Sequence, residues 1–299
     1  MKVIVTGGVG FVGTNLIKRL LKDGNEVVSL DNYSTGKKEN EQDGCKYIDV
    51  DISDSLRRHK GFGLEQYKLE KPDLIFHLGA LARIQPSLKK PASTIKNNFM
   101  GTLNVLDYAR ENNIPVVYSG SSTFHHGLWG SPYAWSKHSG EQLCKLYSTI
   151  YDLPTAICRF YNVYGEHQLE DGAYATVVGI FQKLYRKGKP LTVTGDGEQR
   201  RDFTHIEDIV DALIRLGWML ESNRSSKVSG KTFELGRGKN FSINELTEMF
   251  GETDVEYIPA RDGEYDYTLA DSSKAKELLG WNPTLDISDY ISDVIDDKS

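Results

Sequence analysis

Short apolar runs and stretches of helical spacing alternate through the first 160 residues. β-rich runs stand at Lys2–Thr6, Glu26–Leu30, Leu74–His77, Val116–Ser119 and Thr155–Arg159, with helical spacing between them, as at Asn15–Lys22 and Asn98–Arg110. Strands that are apolar nearly throughout and separated by helices predict a parallel sheet covered on both faces. After Gly165 the pattern changes. Helices are expected at about 173–187, 206–221 and 242–250, between short strand-like pieces at Leu191–Val193, Thr232–Leu235 and Val255–Ile258. The pattern predicts an α/β chain: a doubly wound parallel sheet over residues 1–165, with a smaller α/β portion over 166–299 packed on its edge.

Composition narrows the picture. With 39% hydrophobic and 26% charged residues, the 299-residue chain can fill a sizeable core, which excludes disorder. Its 36 Lys and Arg face 42 Asp and Glu, a net charge of −6 that disfavours nucleic acid as a partner. No apolar run reaches the roughly 18 residues of a membrane span, and the chain starts directly on a strand. Cys45, Cys144 and Cys158 lie far apart, without metal spacing or a disulfide framework. A soluble, cytoplasmic protein with no metal and no membrane partner is expected.

The first strand runs straight into Gly7-Gly8-Val-Gly10-Phe-Val-Gly13 and then a helix. One glycine turns the chain sharply, a second admits a pyrophosphate to the backbone, and the third lets helix and strand pack closely. The pyrophosphate would rest on the positive end of the helix. Asp31 ends the second strand, placed to accept from the adenosine ribose hydroxyls. The residues after it are Asn32, Tyr33, Ser34 and Thr35, with no arginine for a 2′-phosphate, so NAD is expected over NADP, although Lys37 and Lys38 are near. The other reading of Asp31 is a turn residue. Asp51-Ile52 would flank the adenine or form a solvated turn.

Tyr133-Ala-Trp-Ser-Lys137 opens a helix predicted to run to about Asp152. Residues four apart share a helical face, so phenol and ammonium are expected in one cleft. A free tyrosine titrates near 10, and a depression of roughly three units for a base at neutral pH corresponds to ~4 kcal/mol. Lys137 and the positive nicotinamide of NAD⁺ are the expected sources. Val116–Thr123 is a strand ending in hydroxyls at the carboxyl edge of the sheet, where open α/β sheets bind ligands.

Together these motifs resemble an extended short-chain dehydrogenase/reductase, most like NAD-dependent UDP-sugar 4-epimerases of the UDP-galactose or UDP-N-acetylglucosamine type. His77-Leu-Gly-Ala, Asn98–Leu106, Arg159–Gly165, Gly195–Thr204 and Ala260–Glu264 carry the resemblance along nearly the whole chain. It implies a Rossmann-type NAD-binding domain at 1–165 with a return segment about 202–240, and a nucleotide-sugar-binding domain at 166–299. Ser121 falls at the catalytic hydroxyl, with Ser122 its rival, Tyr133 at the base, and Lys137 at its electrostatic partner. NAD contacts are implied for Gly7, Gly10, Phe11, Val12, Gly13, Asp31 and Asn32. Asp51, Ile52, Leu78, Ala80, Asn98, Ser119, Tyr133, Lys137 and Tyr161 complete that set. Substrate contacts are implied for Ser121, Ser122, Asn162, Thr176, Val193, Arg201, Arg261 and Glu264, the arginines as forked donors to the UDP diphosphate. One of Arg200 and Arg201 is expected to be a surface charge. The implied chemistry is transient oxidation: Tyr133 takes the 4-hydroxyl proton, hydride leaves C4 for NAD⁺, and it returns to the other face of the 4-keto sugar.

Departures from the family pattern define the rivals. Ser122-Thr123 stands where dehydratases have Asp-Glu and decarboxylases a Glu, so neither is favoured. Phe124-His125-His126-Gly127 and the short loop after it alter the roof of the sugar pocket. The histidines touch the sugar, modulate Tyr133, or lie on an exposed loop, the last being favoured. Arg83 is expected to pair with a carboxylate; its other reading is a contact to an anionic sugar such as a uronate. Thr268 is small where a bulky residue in some members excludes N-acetylated sugars. A non-catalytic dinucleotide-binding protein and a one-way reductase remain as rival classes. The family pairs the helices at about 98–112 and 133–152 across a dimer, so a homodimer is expected, with Leu103, Leu106, Leu143, Leu146 and Ile150 as the apolar surplus.

Overall fold

Seven strands, all parallel, form the central sheet: β1 (Lys2–Thr6), β2 (Glu26–Asp31), β3 (Cys45–Asp49), β4 (Leu74–His77), β5 (Val116–Ser121), β6 (Thr155–Phe160) and β7 (Lys231–Leu235). Their spatial order is β7-β6-β5-β4-β1-β2-β3. The structure is a computed structural model and describes residues 1–54, 70–222, 225–261, 263 and 265–297. The order reverses between β1 and β4, and a crevice opens at such a point beyond the carboxyl ends of the strands.

Alternating strand residues feed two cores. Val3 and Val5 point to one face, where they meet Leu16, Ile17 and Leu20 of the helix Phe11–Lys22 and Ile209, Leu213 and Leu216 of the helix Ile206–Glu221. Ile4, Ile75 and Val116 point to the other, under the helices Gly101–Asn112 and Pro132–Tyr151. A third cluster of Val178, Phe181, Leu191, Val193, Phe203, Leu246 and Phe250 holds the C-terminal elements. There Leu191–Thr194 pairs in parallel with Val255–Ile258, and Arg200–Asp202 pairs antiparallel with Asn240–Ser242.

Two local features shape the site. The chain at Lys96–Met100 is wound wider than an α-helix before Gly101–Asn112 begins, where the spacing predicts plain helix from Asn98. That turn buries Asn98, whose amide accepts from Leu81 N–H at 2.7 Å and donates to Ser136 Oγ at 3.0 Å. The helix bearing Tyr133 starts sharply because Ser131 Oγ accepts from Ala134 N–H at 3.1 Å and Pro132 fills the first position.

The apolar surplus on these two helices is smaller than the sequence suggests. Leu106 lies in the core and Leu103 and Leu143 pack against it, because the sheet face extends over them. Leu146 and Ile150 stand exposed at 49% and 62%. Among the described residues no helix is long and apolar enough to cross a membrane.

Candidate active site

A cavity of about 880 Å³ runs from the glycine loop, past the ends of β4 and β5, to the C-terminal elements. At its first end the wall is backbone. Gly7 has φ of +73°, and a Cβ there would lie 2.8 Å from the Gly79 backbone. A Cβ on Gly13 would lie 2.1 Å from Gly7 O, so only glycine lets the helix start this close to the strand. Gly10 caps that helix with no side-chain bond, leaving its first N–H groups for an anion. This cradle fits a dinucleotide diphosphate.

Asp31 stands at the end of β2, its carboxylate accepting from Val9 N–H at 3.1 Å and Tyr33 N–H at 2.8 Å. Burial pushes its pKa up, against the pull of those two N–H groups. Phe11, Val12, Asn32, Ile52, Leu78 and Ala80 line the same end. Asp51 does not line it. Burial pushes its carboxyl up, but bonds from Ser53 and Asn32 outweigh that and hold it low.

Under this end His77 is buried between Thr6 Oγ1 at 2.7 Å and Thr102 Oγ1 at 3.0 Å. Thr6 Oγ1 also accepts from the Leu78 and Gly79 N–H groups, tying β1 to the loop after β4. Burial, with the Lys137 charge adding to it, drives the His77 pKa down to about 3.

Midway, the Tyr133 hydroxyl donates to Ser121 Oγ at 3.4 Å, longer than the roughly 2.5–3.0 Å of an ordinary O–H···O bond. Ser121 Oγ also accepts from Thr123 Oγ1 at 3.0 Å. Ser121, Ser122 and Tyr133 all line the cavity. Lys137 does not share the cleft directly. Its Nζ donates to Ser119 Oγ at 3.1 Å and lies 4.6 Å from the Tyr118 ring centre, because a buried ammonium needs acceptors and finds them behind the cavity wall. Burial pushes the Lys137 pKa down to about 8. The protein's own groups hold Tyr133 above its ordinary pKa: burial raises it, and the Ser121 bond and the charge of Arg83 pull the other way. The expected depression by Lys137 is therefore not what the chain supplies; the cation facing the phenol is Arg83.

Asn98, Ser119 and Tyr161 are likewise buried behind the wall. The Tyr161 hydroxyl donates to Glu234 at 2.7 Å. Glu234 also bonds His125 at 2.5 Å, which takes that histidine away from Tyr133. The Arg159 guanidinium binds Glu141 through both oxygens and lies 3.4 Å from the Phe124 ring centre, so a buried ion pair seats the 122–126 turn.

The far end is built of side chains. Asn162 donates to Thr268 Oγ1 at 3.1 Å and to Asp202 O at 3.2 Å, and Thr176 caps the helix Val177–Arg186. Val193 sits wholly in the third core. Arg200 is held by Glu245 and Asn240 at 2.8 and 3.0 Å, whereas Arg201 lines the cavity with Arg261. Glu264 lies outside the described residues. Sequence reasoning missed Tyr265, which carries no motif and comes from an irregular segment. Its ring stacks on His126 with centroids 4.0 Å apart, and among the described residues its buried hydroxyl has no hydrogen-bond partner. It lines the cavity, and a Cβ on Gly130 would lie 3.5 Å from its hydroxyl. Among the described residues no group of acidic, histidine and cysteine side chains is arranged to hold a metal ion.

Residues 3–236 match the model of the NAD dependent epimerase/dehydratase family. The chain is 31% identical to a UDP-glucose 4-epimerase of Mycolicibacterium smegmatis, over 99% of this chain and 98% of that protein. The structure of a Thermotoga maritima UDP-glucose 4-epimerase with UDP-glucose superimposes with a TM-score of 0.89 at 27% identity, covering 99% of this chain and 98% of the other. A Bacillus cereus UDP-glucuronic acid 4-epimerase, in complex with UDP-glucuronic acid and NAD, superimposes with a TM-score of 0.84 at 28% identity, covering 100% of both chains.

Proposed function

Since the chain belongs to the NAD dependent epimerase/dehydratase family, we propose that it inverts C4 of a UDP-hexose through a transient 4-keto sugar. The observation that carries this reading is the pair of hydroxyls on Tyr133 and Ser121, facing each other 3.4 Å apart in the cavity that the glycine loop opens. Gly7, Gly10, Gly13 and Asp31 would hold the dinucleotide. Bound NAD⁺ supplies the acceptor and donor of the C4 hydrogen, and a positive ring that favours the phenolate.

The chain's own residues do the rest. Tyr133 takes the proton of the sugar 4-hydroxyl and later returns it. Ser121 Oγ, held by Thr123, orients that hydroxyl toward the phenol. Arg83 places a positive charge on the open side of Tyr133, and Lys137, bonded to Ser119 behind the wall, keeps its own buried charge on that side of the site. Arg201 and Arg261 grip the diphosphate, so the nucleotide half stays anchored while the sugar half turns over. Thr268, held against Asn162 and Asp202, leaves room for a 2-acetamido group.

The test is to incubate the purified protein with UDP-galactose, or with UDP-N-acetylgalactosamine, and follow the C4 epimer by NMR without adding NAD. Appearance of the epimer supports the reading. Stoichiometric consumption of added reduced cofactor would instead mark a one-way reductase, and absence of turnover across a panel of UDP-sugars would leave only a binding protein. A homodimer through the exposed Leu146 and Ile150 face completes the proposal.

A further inference from the structure

Arg83 precedes the short helix Ile84–Lys89 and lines the cavity with Tyr133 and Tyr174. Its expected carboxylate is missing: among the described residues no acid pairs with it. Its hydrogen bond goes from Nη1 to the neighbouring Ala82 O at 3.3 Å, which leaves most of the guanidinium fork free. A half-buried guanidinium without a counter-ion carries a desolvation cost that an anion at that spot would offset. Its charge acts on both phenols, Tyr133 and Tyr174.

The position of that cation selects among anions. Arg201 and Arg261 lie toward the far wall, where Arg201 acts on His126, and they suffice for a diphosphate. Arg83 instead lines the cavity with the base and its charge acts on the Tyr133 phenol, so what it binds would lie on the C4 side of the sugar. In a hexose, C6 is two bonds from C4, whereas the diphosphate-bearing C1 is three bonds away across the ring. A carboxylate at C6, or on a short substituent of the ring, is the group that a free planar fork beside the base would hold in two parallel bonds. Resting on the epimerase reading above, we infer that Arg83 is a specificity-determining residue that selects a carboxylate-bearing UDP-hexose over a neutral one.

The experiment compares UDP-glucuronate with UDP-glucose, on the NAD-loaded wild type and on the Arg83→Ser and Arg83→Lys variants. Turnover is followed by NMR and binding by calorimetry. Charge-assisted bonds of about 1.5–3 kcal/mol correspond to roughly 10- to 100-fold. The wild type should favour the uronate in kcat/KM by at least about that much. In Arg83→Ser the uronate-to-glucose ratio should fall by about 100-fold, and in Arg83→Lys, which keeps charge but loses the fork, by about 10-fold. Both sugars should lose some turnover, since the Arg83 charge also acts on Tyr133, but a loss that leaves the uronate-to-glucose ratio unchanged would overturn the inference, because it would confine Arg83 to the phenol or the diphosphate. So would a wild type that takes the neutral sugar as readily. Binding separates this from failure of the epimerase reading. Tighter binding of the uronate that Arg83→Ser abolishes, with no epimer formed, would uphold the subsite and sink the reaction; equal binding of both sugars would sink the subsite.

Discussion

The two ends of the cavity are made of different material. At the glycine loop the wall is backbone, fixed by close approaches that admit no side chain: Gly13 against Gly7 O, and Gly7 against Gly79. At the far end, proposed to take the sugar, the wall is side chains drawn from distant segments, with Tyr265 stacked on His126 and Thr268 tied to Asn162. A backbone wall recognises what every dinucleotide has, a diphosphate and a ribose. A side-chain wall can be rebuilt one residue at a time. Cofactor use is therefore fixed by geometry that no substitution can adjust gently, whereas the choice of sugar is open to small changes.

The largest effect is expected between the two ends. Tyr133→Phe should lower turnover by about 1,000-fold, within the range of a lost general base, with the cofactor content of the purified protein unchanged. Cofactor released on denaturation and assayed against protein concentration checks the second half. Gly13→Ala should act the other way round. Its Cβ would need the Gly7 carbonyl to move, so retained NAD should drop by about 100-fold, as read by the same assay. At the sugar end Tyr265→Phe removes one hydroxyl and no ring; kcat/KM should fall by about 10-fold with cofactor content unchanged.

A smaller effect reports on the support beneath the cradle. The folded His77 pKa is about 3, below the ordinary 6.5, so the folded protein stays neutral there while the unfolded chain takes up a proton. The stability contribution is therefore full above about pH 6.5 and is lost as pH falls toward 3. Urea midpoints at pH 7 and pH 4.5 should differ less in His77→Gln than in the wild type. The smallest expected change is at the exposed helix face: Ile150→Asp should shift the protein from the proposed dimer to monomer in sizing chromatography with the fold intact.

The same division decides what the amino-acid sequence discloses. The cradle is local, so Gly7, Gly10, Gly13 and Asp31 announce themselves by spacing within one strand–turn–helix unit, and the sheet follows from runs such as Lys2–Thr6 and Thr155–Phe160. Ser121 and Tyr133 are legible because one ends a strand and the other opens a helix. Lys137 is only half legible: its spacing places it on the Tyr133 face, but nothing in that spacing says that Ser119 and Tyr118 draw the ammonium behind the wall. Tyr265 and His126 stack across 139 positions without any pattern to link them. Arg83 shows the same limit in reverse, since a lone arginine in sequence looks like half of an ion pair, and only the fold reveals that no described acid reaches it.

In the proposed reaction a hydrogen leaves C4 of the sugar and comes back to the same carbon within one active site. A UDP-hexose deuterated at C4, turned over in ordinary water and read by NMR, tests that directly. The product should keep its deuterium at C4 in full. Replacement of that deuterium by solvent hydrogen would contradict the transient 4-keto route and the role given to Tyr133.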